Sequence, residues 1–104
     1  MNNEQTAILE YLRSNAIGYN NKKSSTQIRE DLNLASGGVT NEHVRDLILH
    51  HNACIGSLMW ENGYWIIQTE KELEDVCKSL ESRADSIRNR AITLRNSWRT
   101  QQNG

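Results

Sequence analysis

The chain has 104 residues, 37% of them hydrophobic, and its 12 basic and 13 acidic residues give a formal net charge of −1. This length allows one small domain, or a small domain followed by an appended helix. No apolar stretch approaches the roughly 20 residues that a membrane-spanning helix needs, and the N-terminus lacks the pattern of a signal peptide. We therefore expect a cytoplasmic protein that makes no membrane contact, with a charge too near neutral for general binding to polyanions.

Two helices are predicted in the first third of the chain. The first covers residues 4–15, and the second covers residues 25–33 after a polar loop. Ser24 or Ser25 is expected to cap the second helix, because a serine hydroxyl accepts a hydrogen bond from an amide of the first turn. The side chains expected to face the core are Ile8, Leu9, Tyr11 and Leu12 in the first helix and Ile28 and Leu32 in the second.

A third helix is predicted over residues 40–51. The glycine pair Gly37-Gly38 indicates a turn before it, because glycine interrupts regular structure at low steric cost. Thr40 or Asn41 is the expected N-terminal cap. The apolar residues Val44, Leu47 and Ile48 recur at helical spacing and are expected to be buried.

A β-hairpin follows the third helix. Asn62-Gly63 is the preferred sequence for a two-residue turn, because both turn positions need positive φ. This turn would join residues 55–61 to residues 64–68. It would pair Trp60 with Trp65 and Glu61 with Tyr64 across the strands.

A long helix is predicted over residues 70–99, capped by Thr69 together with Glu72, and a frayed tail is expected over 100–104. Its apolar residues recur in alternating steps of four and three, which is the heptad pattern of a coiled coil rather than of an ordinary surface helix. Small residues occupy position a, except the last, and large residues occupy position d. We call this stripe the seam, and it consists of Leu73, Cys77, Leu80, Ala84, Ile87, Ala91, Leu94 and Trp98.

The seam predicts a homodimer with antiparallel helices. Ala84 would then face Ile87 of the partner subunit, so that small residues meet large ones and fill the interface. The e positions (Glu74, Glu81, Arg88 and Arg95) would pair with opposite charges, whereas parallel helices would bring arginines together. The alternative is that the helix buries the seam against its own domain.

The order of three helices and a hairpin resembles the winged helix-turn-helix family. Residues 25–32 are similar to the supporting helix of that family and residues 40–48 to its recognition helix. The resemblance implies a mainly α, α+β fold with a winged-helix domain over 1–69. The long helix after the hairpin makes the architecture similar to the replication terminator protein and to PadR-like regulators, whose C-terminal helices mediate dimerisation. Three segments resemble small winged-helix proteins from phages and prophages: residues 63–66 (GYWI), 69–70 (TE) and 80–84 (LESRA).

The resemblance implies binding to double-stranded DNA, with the third helix in the major groove. Residues 1–69 carry five basic groups against seven acidic ones, which is unfavourable for a polyanion partner. The alternative is therefore a protein–protein adaptor or inhibitor with the same fold. The residues that the resemblance places at DNA are Lys22, Lys23, Ser25, Thr26, Gln27, Asn41, His43 and Arg45.

The sequence does not favour an enzyme. His50, His51 and Cys54 lack the spacing of a zinc site, and Gly37-Gly38 lacks the further glycine and lysine of a phosphate-binding loop. Cys54 and Cys77 are better interpreted as small hydrophobic residues than as a disulfide. We expect no catalytic residue, no metal and no cofactor.

Overall fold

The computed structural model describes residues 1–35, 37–58 and 61–103. The chain is mainly helical, and the predicted order of three helices, a hairpin and a long helix is confirmed. Its elements are α1 (Asn3–Asn15), a 3₁₀ turn (Tyr19–Asn21), α2 (Ser25–Leu32), α3 (Gly37–His50), β1 (Ile55–Leu58), β2 (Glu61–Ile66) and α4 (Glu70–Asn103).

The core lies between α1, α2, α3 and the hairpin. Helix α1 begins in a capping box between Asn2 and Gln5, and Ser24 caps α2 as predicted, since its side chain accepts from the Gln27 amide. Ile48 does not belong to this core, since it is 43% exposed. The buried apolar residues of the core are Ile8, Leu9, Leu12, Ala16, Ile28, Val44, Leu47, Ala53 and Ile55, with Tyr11 and Leu32 partly buried against them.

Helix α3 begins one turn earlier than predicted. It starts at Gly37, so the predicted turn at Gly37-Gly38 is wrong, and Thr40 lies inside the helix with no exposed surface. A glycine in the first turn lowers the stability of a helix only slightly, because the amides of that turn need no partner within the helix. Burial of Thr40 therefore outweighs the local preference for a turn, and neither Thr40 nor Asn41 stands at the cap position.

The hairpin has a different register from the predicted one. Asn62 and Gly63 lie within β2, and neither has positive φ. Gly56 pairs with Trp65 and Leu58 pairs with Glu61, with an irregularity between Gly56 and Leu58. The predicted pairs of Trp65 with Trp60 and of Glu61 with Tyr64 are therefore wrong, and Trp60 itself lies outside the described residues.

The reason for this register lies in the two faces of β2. Tyr64 and Ile66 pack against the helical core, so Trp65 between them faces the other side of the hairpin. Trp65 is nonetheless 1% exposed, and the edge of the Tyr19 ring packs against it at 5.2 Å between ring centroids. The observed register places Gly56 opposite Trp65, where a residue with a Cβ atom would clash with the indole, so burial of Trp65 overrides the local preference of Asn62-Gly63 for a turn.

The free edge of β2 is covered by the segment between α1 and α2. The Lys23 amide donates to the Tyr64 carbonyl at 2.9 Å, and the Tyr64 amide donates back to the Lys23 carbonyl at 2.8 Å. The Ile66 amide donates to the Ala16 carbonyl at 2.7 Å in the same way. Both edges of β2 are thus paired, which fixes the hairpin against the helices.

Helix α4 covers the outer face of the hairpin and begins with an anchored glutamate. The Glu72 amide donates to the Thr69 hydroxyl at 3.2 Å, which is half of the predicted capping box. The Glu72 carboxylate turns instead to the domain, where it accepts from the Trp65 indole and from the Gln68 amide, both at 3.1 Å. The helix then continues through Asn103, so the predicted tail at 100–104 is helical as far as it is described.

We expect Glu72→Ala to lower the free energy of unfolding by about 1–3 kcal/mol, because the indole and amide donors lose a charged acceptor. Urea denaturation followed by tryptophan fluorescence measures this change. Glu70→Ala is the matched control, since Glu70 also lies in the first turn but is exposed. Equal effects of the two variants would contradict the anchoring role of Glu72.

Candidate nucleic-acid interface

An open cleft of about 650 Å³ lies between α3, the hairpin and α4. We call it the α3–hairpin cleft. Its walls come from four elements, because the first turn of α2 also borders it. The residues that line it include Ser25, Asn41, Arg45, Tyr64, Leu80 and Arg83.

Asn41 and Tyr64 connect α3 to the hairpin inside the cleft. The Tyr64 hydroxyl donates to Asn41 Oδ1 at 2.5 Å. Burial raises the pKa of Tyr64, while the charge of Arg45 acts in the opposite direction. The tyrosine is therefore a neutral donor at neutral pH, and it holds Asn41 beside the hairpin.

Two arginines in the cleft have no counterion among the described residues. Arg45 on α3 and Arg83 on α4 both line the cleft, and both are exposed. Neither makes an ion pair or side-chain hydrogen bond with another residue that the structure describes. Each guanidinium can therefore offer its donors to an anion.

His43 lies on the other side of α3 from Asn41 and Arg45. Its Nε2 is 2.7 Å from Glu4 Oε2 on α1, and its side chain is 16% exposed. Asp46 is engaged there too, since it accepts from Gln5 Nε2 at 2.7 Å and lies 3.4 Å from His51. The structure thus separates His43 from the other predicted DNA-contacting residues. The acidic side chain of Asp46 is likewise turned away from the cleft.

The remaining predicted residues lie before and at the start of α2. Lys22 Nζ is 3.9 Å from the centroid of the Tyr19 ring, and the stem of Lys22 lies along Gly63 of the hairpin. Lys23 is tied to Tyr64 through its backbone. Ser25 borders the cleft, and Thr26 and Gln27 are exposed in the first turn of α2. The structure therefore places Lys22, Lys23 and Ser25 near one edge of β2.

The seam of α4 is exposed in the single chain. Its large members are between 41% and 66% exposed, and the highest values belong to Leu94 and Trp98. Val76, which lies outside the seam, is the residue of α4 buried against the domain at 6% exposure. The alternative in which the helix buries the seam against its own domain is therefore wrong. The exposed large seam residues are Leu73, Leu80, Ile87, Leu94 and Trp98.

Charge changes sign along α4. Residues 70–81 carry five acidic and two basic groups, whereas residues 82–103 carry one acidic and five basic groups. Glu74, Glu81 and Arg95 are exposed, and Arg88 Nη1 lies 3.3 Å from Asp85. Two such helices attract one another when they run in opposite directions.

The sequence indicated neither that Arg83 lines the cleft nor that the Glu72 carboxylate contacts the hairpin. Both lie on the side of α4 that Val76 marks, at helical spacing from it. Three of the four residues on that stripe are polar (Glu72, Val76, Ser79 and Arg83). A hydrophobic pattern could not have identified it, because a single valine is its only apolar member.

Comparison with protein-family models, with curated proteins and with solved structures found no match. No helix in the described part of the chain has the length and apolar character that crossing a membrane requires. Residues 1–35, 37–58 and 61–103 contain no cluster of histidine, cysteine and acidic side chains that could hold a metal ion.

Proposed function

We propose that this chain binds duplex DNA in the cytoplasm as a homodimer of winged helix-turn-helix type. In this proposal it is a transcriptional regulator or replication-associated factor of phage or mobile-element type. The observation that carries the proposal is the pair of arginines, Arg45 and Arg83, in an open cleft between α3 and the hairpin, where neither has a counterion among the described residues. A winged-helix protein presents its third helix and its hairpin to DNA on such a face.

Each residue of the interface has a role in the proposal. Arg45 would bind guanine or a phosphate, and Asn41 would bind adenine after exchanging its bond with Tyr64. The serine and threonine hydroxyls at the start of α2, with Lys22 and Lys23, would contact phosphates and fix the position of the duplex. The residues on α2 are Ser25, Thr26 and Gln27.

Dimerisation through the seam would supply a second copy of this interface. The proposed crossing lies between Ala84 and Ile87, and Val76 marks where each domain joins α4. With about 1.5 Å of rise per residue, the two attachment points would be about 30 Å apart along the helix pair. That distance is close to the roughly 34 Å between successive major grooves on one side of DNA. The geometry therefore suits two copies of α3 on one duplex.

The second candidate function is a protein–protein adaptor. It is favoured by the excess of acidic over basic groups in residues 1–69 and by the engagement of Asn41 with Tyr64. An adaptor would bind no duplex even at low salt. A DNA-binding protein would bind there and would lose affinity steeply as salt rises.

The test measures binding to a randomised pool of duplexes by fluorescence anisotropy at about 50 mM and about 200 mM salt. We expect Arg45→Ala to weaken binding by about tenfold or more, because each subunit loses a charge-assisted contact. Arg13→Ala is the matched control, since Arg13 is also exposed but lies in the last turn of α1 and is not among the residues that line the cleft. Binding that is unchanged in Arg45→Ala would contradict the assignment of the DNA-binding face.

A further inference from the structure

One flank of α4 carries arginines that dimerisation alone would leave without a partner. Val76 and Arg83 are one heptad apart, at position g, and therefore lie on the same side of the helix. Val76 is buried against the domain, and Arg83 lines the α3–hairpin cleft. Arg90 lies one heptad further along the same flank. The g flank is thus the flank that faces the domain.

The two flanks of an antiparallel pair would differ sharply in charge. On the e flank, Glu74 would face Arg95 of the partner subunit and Glu81 would face Arg88 of the partner subunit, so the charges cancel. On the g flank, Arg83 would face Arg90 of the partner subunit, and like charges repel. The two-fold axis would bring all four of these arginines to the centre of the dimer, with the two Arg83 residues about 8 Å apart along the helix pair.

We propose that Arg83 and Arg90 of both subunits form a phosphate-binding site for the DNA backbone, which is complete only in the dimer. We call it the central arginine cluster, and the inference rests on the proposed function. Because each domain packs on the g flank, both domains and the central arginine cluster share one face of the helix pair. Phosphate oxygens suit guanidinium groups, which can donate two parallel hydrogen bonds. A bound phosphate also removes the repulsion between the facing arginines.

The expected ligand is the backbone on either side of a minor groove. When two copies of α3 occupy successive major grooves, the minor groove between them faces the centre of the dimer. Its two strands then present phosphates to the two-fold axis from opposite sides. The central arginine cluster has the same symmetry, with one arginine pair on each side of the axis.

The test compares Arg83→Gln and Arg90→Gln with Arg99→Gln, which removes the same charge from an exposed position of α4 outside the g flank. The probe is a duplex of about 30 base pairs, selected from a randomised pool by the unaltered chain. Anisotropy across a range of salt concentrations gives the affinity and its salt dependence, and sedimentation equilibrium gives the dimer dissociation constant. Circular dichroism verifies that each variant is folded.

We expect each cluster variant to bind the probe about tenfold more weakly. The slope of log affinity against log salt should fall by about 2, since two phosphate contacts are lost per dimer. The dimer dissociation constant should fall by about twofold to tenfold, because repulsion between the arginines is relieved. A purely structural role for these arginines would not move the two measurements in opposite directions.

Two results would overturn the inference while leaving DNA binding through Arg45 and α3 intact. One is a salt slope in both cluster variants equal to that of Arg99→Gln. The other is an effect of Arg83→Gln without an effect of Arg90→Gln, which would remove the contribution of the partner subunit. If the unaltered chain binds no duplex at any salt concentration, the proposed function itself fails and the cluster has no ligand.

Discussion

Replacing Ala84 with glutamate should convert the proposed dimer into monomers. In the antiparallel arrangement Ala84 faces Ile87 of the partner subunit, so the variant would bury two unpaired carboxylates in one apolar interface. An uncompensated buried charge costs about 3–5 kcal/mol, which raises the dissociation constant at least about a thousandfold. Light scattering after size-exclusion chromatography measures the mass directly. Affinity for DNA should fall with it, because each monomer offers a single copy of α3.

Ser82→Glu is the matched control for this variant. Ser82 lies on the same exposed stretch of α4 but at position f, opposite the seam, so the same charge should leave the dimer intact. A dimeric Ala84→Glu variant would show that the exposed seam is not the interface between copies.

The orientation of the helices is tested by reversing charges on the e flank. Glu81→Arg should weaken an antiparallel dimer, because the new arginine would face Arg88 of the partner subunit. Arg88→Glu should weaken the dimer in the same way, because the new glutamate would face Glu81 of the partner subunit. The double variant restores opposite charges and should recover the dimer. Parallel helices would show no such recovery, because residues 81 and 88 do not face each other in that arrangement.

Gly56→Ala should destabilise the protein although it adds a single methyl group to the hairpin. A Cβ atom on Gly56 would lie 2.6 Å from Cε2 of Trp65, closer than any real contact, and the indole is buried between the hairpin and α4. The ring would have to leave its position or the strands would have to separate. Overpacking of this kind costs about 1–3 kcal/mol. Urea denaturation followed by tryptophan fluorescence measures the loss.

Gly63→Ala provides the matched comparison within the same hairpin. Its Cβ would lie 2.8 Å from Cδ and 3.1 Å from Cβ of Lys22. A change of lysine rotamer relieves the first contact and a shift of a few tenths of an ångström relieves the second, so the free energy of unfolding should change less than in Gly56→Ala. If both alanine variants were equally destabilised, backbone freedom of glycine would explain the loss better than contact with Trp65.

The amino-acid sequence determined the order of elements and most of the core. Periodic apolar residues are sufficient to predict the helices and their buried faces, because a helix that buries one face carries apolar residues at helical spacing along that face. They predicted Ile8, Leu12, Ile28 and Leu47 as core residues, and Ser24 as a cap. The seam was equally visible, since a heptad repeat is a property of the sequence alone.

Only the tertiary structure decided the details that depend on long-range packing. The Asn62-Gly63 turn and the start of α3 were predicted from local preferences of about 1 kcal/mol, and burial of Trp65 and Thr40 outweighed them. His43 left the predicted interface because Glu4, distant in sequence, lies beside it in the fold. Arg83 joined Arg45 for the same kind of reason, since only the path of α4 across the hairpin brings these two cations into one cleft.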